Sequence, residues 1–183
     1  LMKDGFKFLL ATSQPTHEAT VYINSKGLGT AKISGHDDIL LPERELRLVF
    51  NGDRVKVRQT SIDRKGKPWG FITEVVQHRV KQIIGKVAVY DNEYFIQPAN
   101  PNAHQPITLE KELIEHAQVK AGDSVRVAID DYPTREELPT GHIVQSMADK
   151  ADTEIIIPQT ILEFGLPYEF PEEVVREAES FKE

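Results

Sequence analysis

Short runs in which apolar and polar residues alternate dominate residues 17–150. Ala19-Thr20-Val21-Tyr22-Ile23 and Arg54-Val55-Lys56-Val57-Arg58 both alternate with a period of two, the spacing of half-buried strands whose successive side chains point to opposite faces. Gly27, Gly29, Gly35, Gly52 and Gly66 fall between such runs, where a reversing chain needs positive φ or close backbone approach. Strands this short and evenly punctuated predict a small barrel or sandwich.

The pattern repeats. Gly52-Asp53-Arg54-Val55-Lys56-Val57 returns as Gly122-Asp123-Ser124-Val125-Arg126-Val127, 70 residues later, and Gly70-Phe71-Ile72-Thr73-Glu74-Val75 as Gly141-His142-Ile143-Val144-Gln145-Ser146, 71 later. Val21 and Ile23 find a counterpart in Lys86-Val87-Ala88-Val89, and Ile39 in Ile107. One Gly-Asp-x-Val is a common turn into a strand, but four stations in the same order make a repeat. Two units of five short strands predict an all-β fold of two tandem five-stranded Greek-key barrels of the OB type. Helical spacing precedes each Gly-Asp, at Leu46, Val49 and Phe50 and at Leu113, Ile114 and Ala117; such a segment plugs one end of an OB barrel. After about residue 150 the pattern changes to two helical pieces led by Pro158 and Pro171, each proline suited to a first helical turn. About thirty residues are too few for a domain and read as the start of a further one. The expected organisation is an extension over 1–16, a first barrel over 17–81, a second over 82–150 and the start of a catalytic domain over 151–183.

Charge adds an asymmetry. The chain of 183 residues carries 22 Lys+Arg against 29 Asp+Glu. Residues 17–86 are net +5 and residues 87–183 net −13, so a polyanion docking on the first part would be repelled by the rest. There is no Cys, which excludes disulfides, thiolate metal sites and a cysteine nucleophile. The six His show no zincin spacing, and neither a nucleotide-binding Gly-rich loop nor a nucleophile elbow occurs. No apolar run approaches the ~20 residues of a membrane span and no leader opens the chain, so the expected compartment is the cytoplasm. A start at Leu1-Met2 reads as a piece of a longer protein.

Asn24-Ser25-Lys26-Gly27-Leu28-Gly29, Asn51-Gly52-Asp53-Arg54-Val55, Asp63-Arg64-Lys65-Gly66-Lys67, Gln82-Ile83-Ile84-Gly85-Lys86 and Glu163-Phe164-Gly165-Leu166-Pro167-Tyr168-Glu169-Phe170-Pro171 together resemble the front half of the ribonuclease R / ribonuclease II family of 3′→5′ exoribonucleases. The Asp-Arg-Lys-Gly loop and the Leu-Pro-Tyr-x-Phe-Pro tail favour the ribonuclease R branch. The resemblance implies two cold-shock (OB) domains ahead of a catalytic domain that hydrolyses RNA with Mg²⁺ held by clustered aspartates. That signature is absent from this chain, which implies an inactive fragment without cofactor, the Mg²⁺ belonging to the parent enzyme's catalytic domain. Asp37-Asp38 and Asp130-Asp131 are the adjacent Asp pairs, and both read as solvated loop positions.

The implied partner is single-stranded RNA, with no membrane and no small-molecule cofactor. Where the family pattern has Lys-Gly-aromatic-Gly-aromatic for base stacking, this chain reads Lys26-Gly27-Leu28-Gly29-Thr30, so both rings are lost. The remaining RNA-binding candidates are Tyr22, Lys26, Lys32, Arg58, Arg64, Lys65, Lys67 and Trp69 in the first unit and Tyr94 and Phe95 in the second. Alternation places Tyr22 outside its barrel. For Phe71 and Phe95 barrel core is the preferred reading. Trp69 could equally cover a barrel end, and Arg64–Lys67 could be a solvated hairpin tip. Two other functions stay open: a standalone OB-fold RNA chaperone or translation-associated protein, and a protein-interaction module built on the acidic half.

Overall fold

The computed structural model describes residues 7–8, 15–24, 26–100 and 105–148. The expected helices after Pro158 and Pro171 lie outside the described residues. Two closed five-stranded barrels follow one another, as the repeat predicts. In the first, β2 (Thr16–Ile23), β3 (Gly29–Lys32) and β4 (Ile39–Leu41) form an antiparallel meander. The fifth barrel strand β6 (Pro68–Gln77) joins β4 in parallel, and β5 (Arg54–Ile62) closes the ring between β6 and β2. Two residues of the expected N-terminal extension form a short strand, β1 (Lys7–Phe8), which pairs with the far end of β5. The second barrel repeats the order with β7 (Gln82–Tyr90), β8 (Glu93–Pro98), β9 (Ile107–Leu109), β10 (Ser124–Asp131) and β11 (Thr140–Ser146).

The alternation works as the sequence says. Val21, Ile23, Ala31, Ile39, Leu41, Val55, Val57 and Ile72 fill the first barrel, and Val87, Ile96, Ile107, Leu109, Val125 and Val127 the second. Helix α1 (Glu43–Leu46) plugs the first barrel and α2 (Lys111–Ala117) the second. Helix α1 is shorter than its apolar spacing predicts: Val49 and Phe50 lie beyond it, in the approach to the Gly52 turn.

The repeat has a physical cause at each station. Gly52 and Gly122 have φ of 89° and 95°, a region that favours glycine. The Gly52 N–H donates to Val21 O and the Val21 N–H to Asp53 O, at 2.8 and 2.9 Å; Gly122, Val87 and Asp123 repeat both bonds at the same lengths. Gly70 and Gly141 are inward positions pressed against the carbonyls of Arg58 and Ala128 on the neighbouring strand, where a Cβ would collide with backbone. Both barrels therefore need glycine at the same two places for steric reasons.

The barrels are also clasped to each other. Phe50 leaves the first core and packs in the second cluster with Val80, Val119 and Tyr132. Buried Asp53 accepts the N–H of Phe50 at 2.9 Å, the N–H of Arg79 at 2.8 Å and Nδ1 of His78 at 2.7 Å. The His78 ring stacks on Tyr132 at 3.8 Å between centroids, and the Tyr132 hydroxyl donates to Val80 O. Arg135, on the β10–β11 loop, reaches back to Glu45 of α1 at 3.3 Å and to Ile72 O at 3.2 Å. Glu45, only 2% exposed, also accepts the Ile72 N–H. Gln105 donates across to Leu46 O at 3.5 Å.

Candidate nucleic-acid interface

The outward faces of β2, β3, β4 and β6 bring Tyr22, Thr30, Leu40 and Trp69 into one row, since Tyr22 pairs with Thr30, Thr30 with Leu40 and Leu40 with Trp69. Tyr22 is 46% exposed, as the alternation predicts, and Lys32 Nζ sits 4.4 Å from its ring centre, within cation–π reach. Phe71 is outward and half-buried on β6, opposite Arg58 on β5. It is not barrel core: the buried position is Ile72. The half-buried Arg58 donates to the Thr16 hydroxyl at 3.2 Å.

Two loops at this barrel are built alike. In residues 24–28 the Asn24 side-chain oxygen accepts the N–H groups of Lys26 and Leu28 at 2.9 and 3.0 Å, and the Asn24 N–H donates to Leu28 O. In residues 63–67 the Asp63 carboxylate accepts the N–H groups of Lys65 and Lys67 at 2.8 and 2.9 Å, and the Asp63 N–H donates to Lys67 O. Gly27 and Gly66 take the positive φ, 78° and 79°, that such turns demand. Each is a tight reversal held by one Asx side chain, with a lysine just ahead of the glycine. OB barrels use these two loops, between strands one and two and between four and five, around their ligand face.

The loops also carry part of the barrel's unpaired charge. On the strands, Arg54 pairs with Glu18 at 3.0 Å and Lys56 with Glu74 at 2.7 Å, and the Glu74 carboxylate holds the Lys56 ammonium above its usual pKa. Exposed Lys26, Arg64, Lys65 and Lys67 have no ion-pair partner among the described residues. Asp63 titrates below the usual carboxylate range, chiefly because the Lys67 N–H bonds its charged form, with help from the Lys65 N–H against the opposing effect of burial. A lowered folded-state pKa contributes stability above the unfolded pKa and loses it as pH falls through the folded value. As pH falls below the ordinary Asp value of 3.8 and through the lower folded value, the 63–67 loop is therefore expected to loosen while the barrel core holds, read as reduced protection of the Lys65 and Lys67 amides relative to their intrinsic exchange rates; Asp63→Ala should show the same loosening at neutral pH. Unchanged exchange in the variant would rule out this anchoring.

The second barrel presents its candidates differently. Tyr94 turns inward and packs on the second core. Phe95 is outward and half-buried, a correction to its expected place in the core, because Ile96 takes the buried phase. Phe95 pairs with Ala88 as Thr30 pairs with Tyr22, so the ring missing at Thr30 is present at the equivalent point of the second barrel. Its β7–β8 connection is the tight turn Asp91-Asn92, both residues at positive φ, and supplies no cation. Its β10–β11 loop is occupied by the clasp through Tyr132 and Arg135. The acidic pairs also differ from each other. Asp37 and Asp38 are exposed loop residues, whereas Asp130 and Asp131 end β10 rather than lying in a loop, paired with His142 and Thr140 at 2.8 Å each. Among the described residues no three of His, Asp and Glu converge on a metal-sized site, so this donor set does not fit a catalytic Mg²⁺.

Nothing in the sequence marks Glu45 and Gln105, because isolated polar residues look like solvated surface; for Tyr132 and Arg135 the one signal is the long segment between β10 and β11. Comparisons with known proteins agree with the architecture. The family models described as Ribonuclease B OB domain and Cold shock domain match residues 19–75 and 95–171. Ribonuclease R of Aquifex aeolicus is 30% identical over 172 residues, covering 94% of this chain and 24% of the relative. Ribonuclease R of Thermotoga maritima is 31% identical over 147 residues, covering 78% and 20%. The chain thus spans about a quarter of the length of the curated relatives it matches. Among solved structures, the RNase R of Mycoplasma genitalium in complex with ribose-methylated single-stranded RNA shares the fold at a TM-score of 0.72 and 16% identity, over 89% of this chain and 26% of that one. A yeast pseudonuclease does so at 0.64 and 14%, over 82% and 25%.

Proposed function

We propose that this chain is the cold-shock (OB) region of a ribonuclease R-type 3′→5′ exoribonuclease, and that it binds single-stranded RNA and guides it towards the enzyme's catalytic segment. The observation that carries this reading is the pair of Asx-held cationic loops beside the Tyr22–Trp69 row. Cations along a groove attract the phosphate backbone, and outward rings offer sequence-tolerant stacking, the combination by which OB folds hold single strands. A duplex keeps its bases stacked inside and withholds their faces from Tyr22 and Phe95.

The chemistry of the parent enzyme, in this proposal, is Mg²⁺-assisted hydrolysis in a segment outside this chain, and none of its steps runs through the residues described. What these residues do is bind and orient. Lys26, Arg64, Lys65 and Lys67 displace counterions from the strand, Tyr22 and Phe95 stack bases, and the clasp through Asp53, Glu45 and Arg135 fixes the two faces relative to each other. The setting proposed is the cytoplasm; no helix among the described residues is long and apolar enough to cross a membrane.

The test is fluorescence anisotropy of a labelled single-stranded oligoribonucleotide and of the same sequence as a duplex, titrated with the whole chain at low salt. Tighter binding of the single strand is the expected result. Preference for the duplex overturns the single-strand reading, and no binding of either favours the protein-interaction module.

A further inference from the structure

A cleft of about 250 Å³ opens at one end of the first barrel, beside the 63–67 loop. Its wall comes from four separate pieces of chain: His17 on β2, the β3–β4 connection with Ile33, His36 and Asp37, Gln59 and Ile62 of β5, and Gly66 with Pro68. Ile33, Ile39, Ile62 and Pro68 make an apolar floor, and the rings of His17 and His36 stand 5.0 Å apart at one side. The volume lies below the ~300 Å³ at which sites for drug-sized ligands begin, and suits one planar heterocycle.

The rim is rich in acceptors. His36 Nδ1 lies 3.2 Å from Ser34 O; a carbonyl can only accept, so Nδ1 carries the proton and Nε2 of the neutral ring is left as an acceptor. Asp37 adds a carboxylate and Gln59 an amide oxygen. Just outside, exposed Lys65 and Lys67 flank Gly66, and the Asp63 carboxylate accepts their backbone N–H groups. An apolar floor with flanking rings takes a base face, an acceptor-rich rim takes a base edge that donates, and the adjacent ammonium groups take a phosphate. Guanine is the RNA base whose Watson–Crick edge presents two neighbouring N–H donors, N1–H and the N2 amino group, matched to a carboxylate.

We propose that this cleft is a nucleotide site that holds one flipped-out guanine of the RNA strand, with Asp37 reading its Watson–Crick edge and Lys65 and Lys67 its phosphate. The inference rests on the RNA-binding reading and adds a base preference at a single position, where stacking on the outer row supplies none.

The experiment is NMR titration of the whole chain with guanosine, adenosine, cytidine and uridine 5′-monophosphates. Guanosine monophosphate is expected to shift the His17 and His36 ring signals and the Gln59 side-chain amide saturably, and to bind more tightly than the other three. Asp37→Asn should remove that preference, and His36→Ala should weaken binding about tenfold if ring stacking has its usual strength. Unmoved cleft signals, or equal affinities that Asp37→Asn leaves as they were, overturn the proposal. A parallel titration with a single-stranded oligoribonucleotide separates the two readings. Shifts at Tyr22 and Lys32 with none in the cleft overturn the nucleotide site and leave the RNA-binding function standing. No shift anywhere overturns both.

Discussion

Replacing Asp53 with alanine is expected to cost several kilocalories per mole, far more than the same change at its repeat partner Asp123. The two residues occupy equivalent turns, and their backbone bonds to Val21 and Val87 have the same lengths. Their side chains differ. Asp53 is fully buried and accepts three donors, the N–H groups of Phe50 and Arg79 and Nδ1 of His78. The Asp123 carboxylate accepts the Lys120 N–H at an exposed site. Hydrogen bonds to a charged acceptor contribute about 1.5–3 kcal/mol each, and a buried N–H left without a partner costs about 1–3 kcal/mol. Since these effects overlap, Asp53→Ala should lose about 3–5 kcal/mol in urea unfolding, against about 1 kcal/mol for Asp123→Ala. Asp53→Asn should fall between them, because its amide nitrogen turns a donor toward donors. Equal losses at 53 and 123 would show that the clasp adds nothing to the turn.

This contrast marks how far the sequence could be read. The repeat was legible because its stations are glycines with steric duties, Gly52 and Gly122 at positive φ and Gly70 and Gly141 against a neighbouring carbonyl, and steric duties leave a fixed spacing. The face of Phe71 and Phe95 was not, because each is followed by an isoleucine, Ile72 and Ile96. Two adjacent apolar residues leave the phase of a strand undetermined; Gly70, an inward position with no side chain, gives the phase only once the barrel is seen. Tyr22 was legible because polar or weakly apolar neighbours flank a clean Val21–Ile23 pair. The clasp was hidden for a different reason. Glu45 and Arg135 lie 90 residues apart, and nothing local distinguishes a carboxylate buried under a neighbouring barrel from one in water. The candidate cations were legible as a group, but their availability was not: only the structure separates Lys56, paired with Glu74, from the exposed Lys65 and Lys67, which have no ion-pair partner among the described residues.

That availability sets the second large effect, on RNA affinity. Changing Arg64, Lys65 and Lys67 together to alanine should weaken binding of every single-stranded sequence and flatten its salt dependence. Each phosphate neutralised on a single strand contributes about 0.7 to the slope of log affinity against log salt. If the three side chains neutralise three phosphates, the slope should fall by about 2, and affinity at low salt by about a hundredfold or more. The fold should survive, because all three side chains are exposed and the Asp63 carboxylate still receives backbone N–H groups at positions 65 and 67. Phe95→Ala provides the contrast. A ring displaces no counterion, so it should lower affinity by about 1–3 kcal/mol at every salt concentration with the slope unchanged. Arg54→Ala provides a second, since that guanidinium is already paired with Glu18 and should leave the slope nearly as it was. If the triple variant binds like the parent at all salt concentrations, the 63–67 loop is a solvated turn. The strand would then have to cross the second barrel, where Phe95 and the exposed Tyr90 are outward rings and the nearby turn at Asp91-Asn92 repels phosphate rather than attracting it.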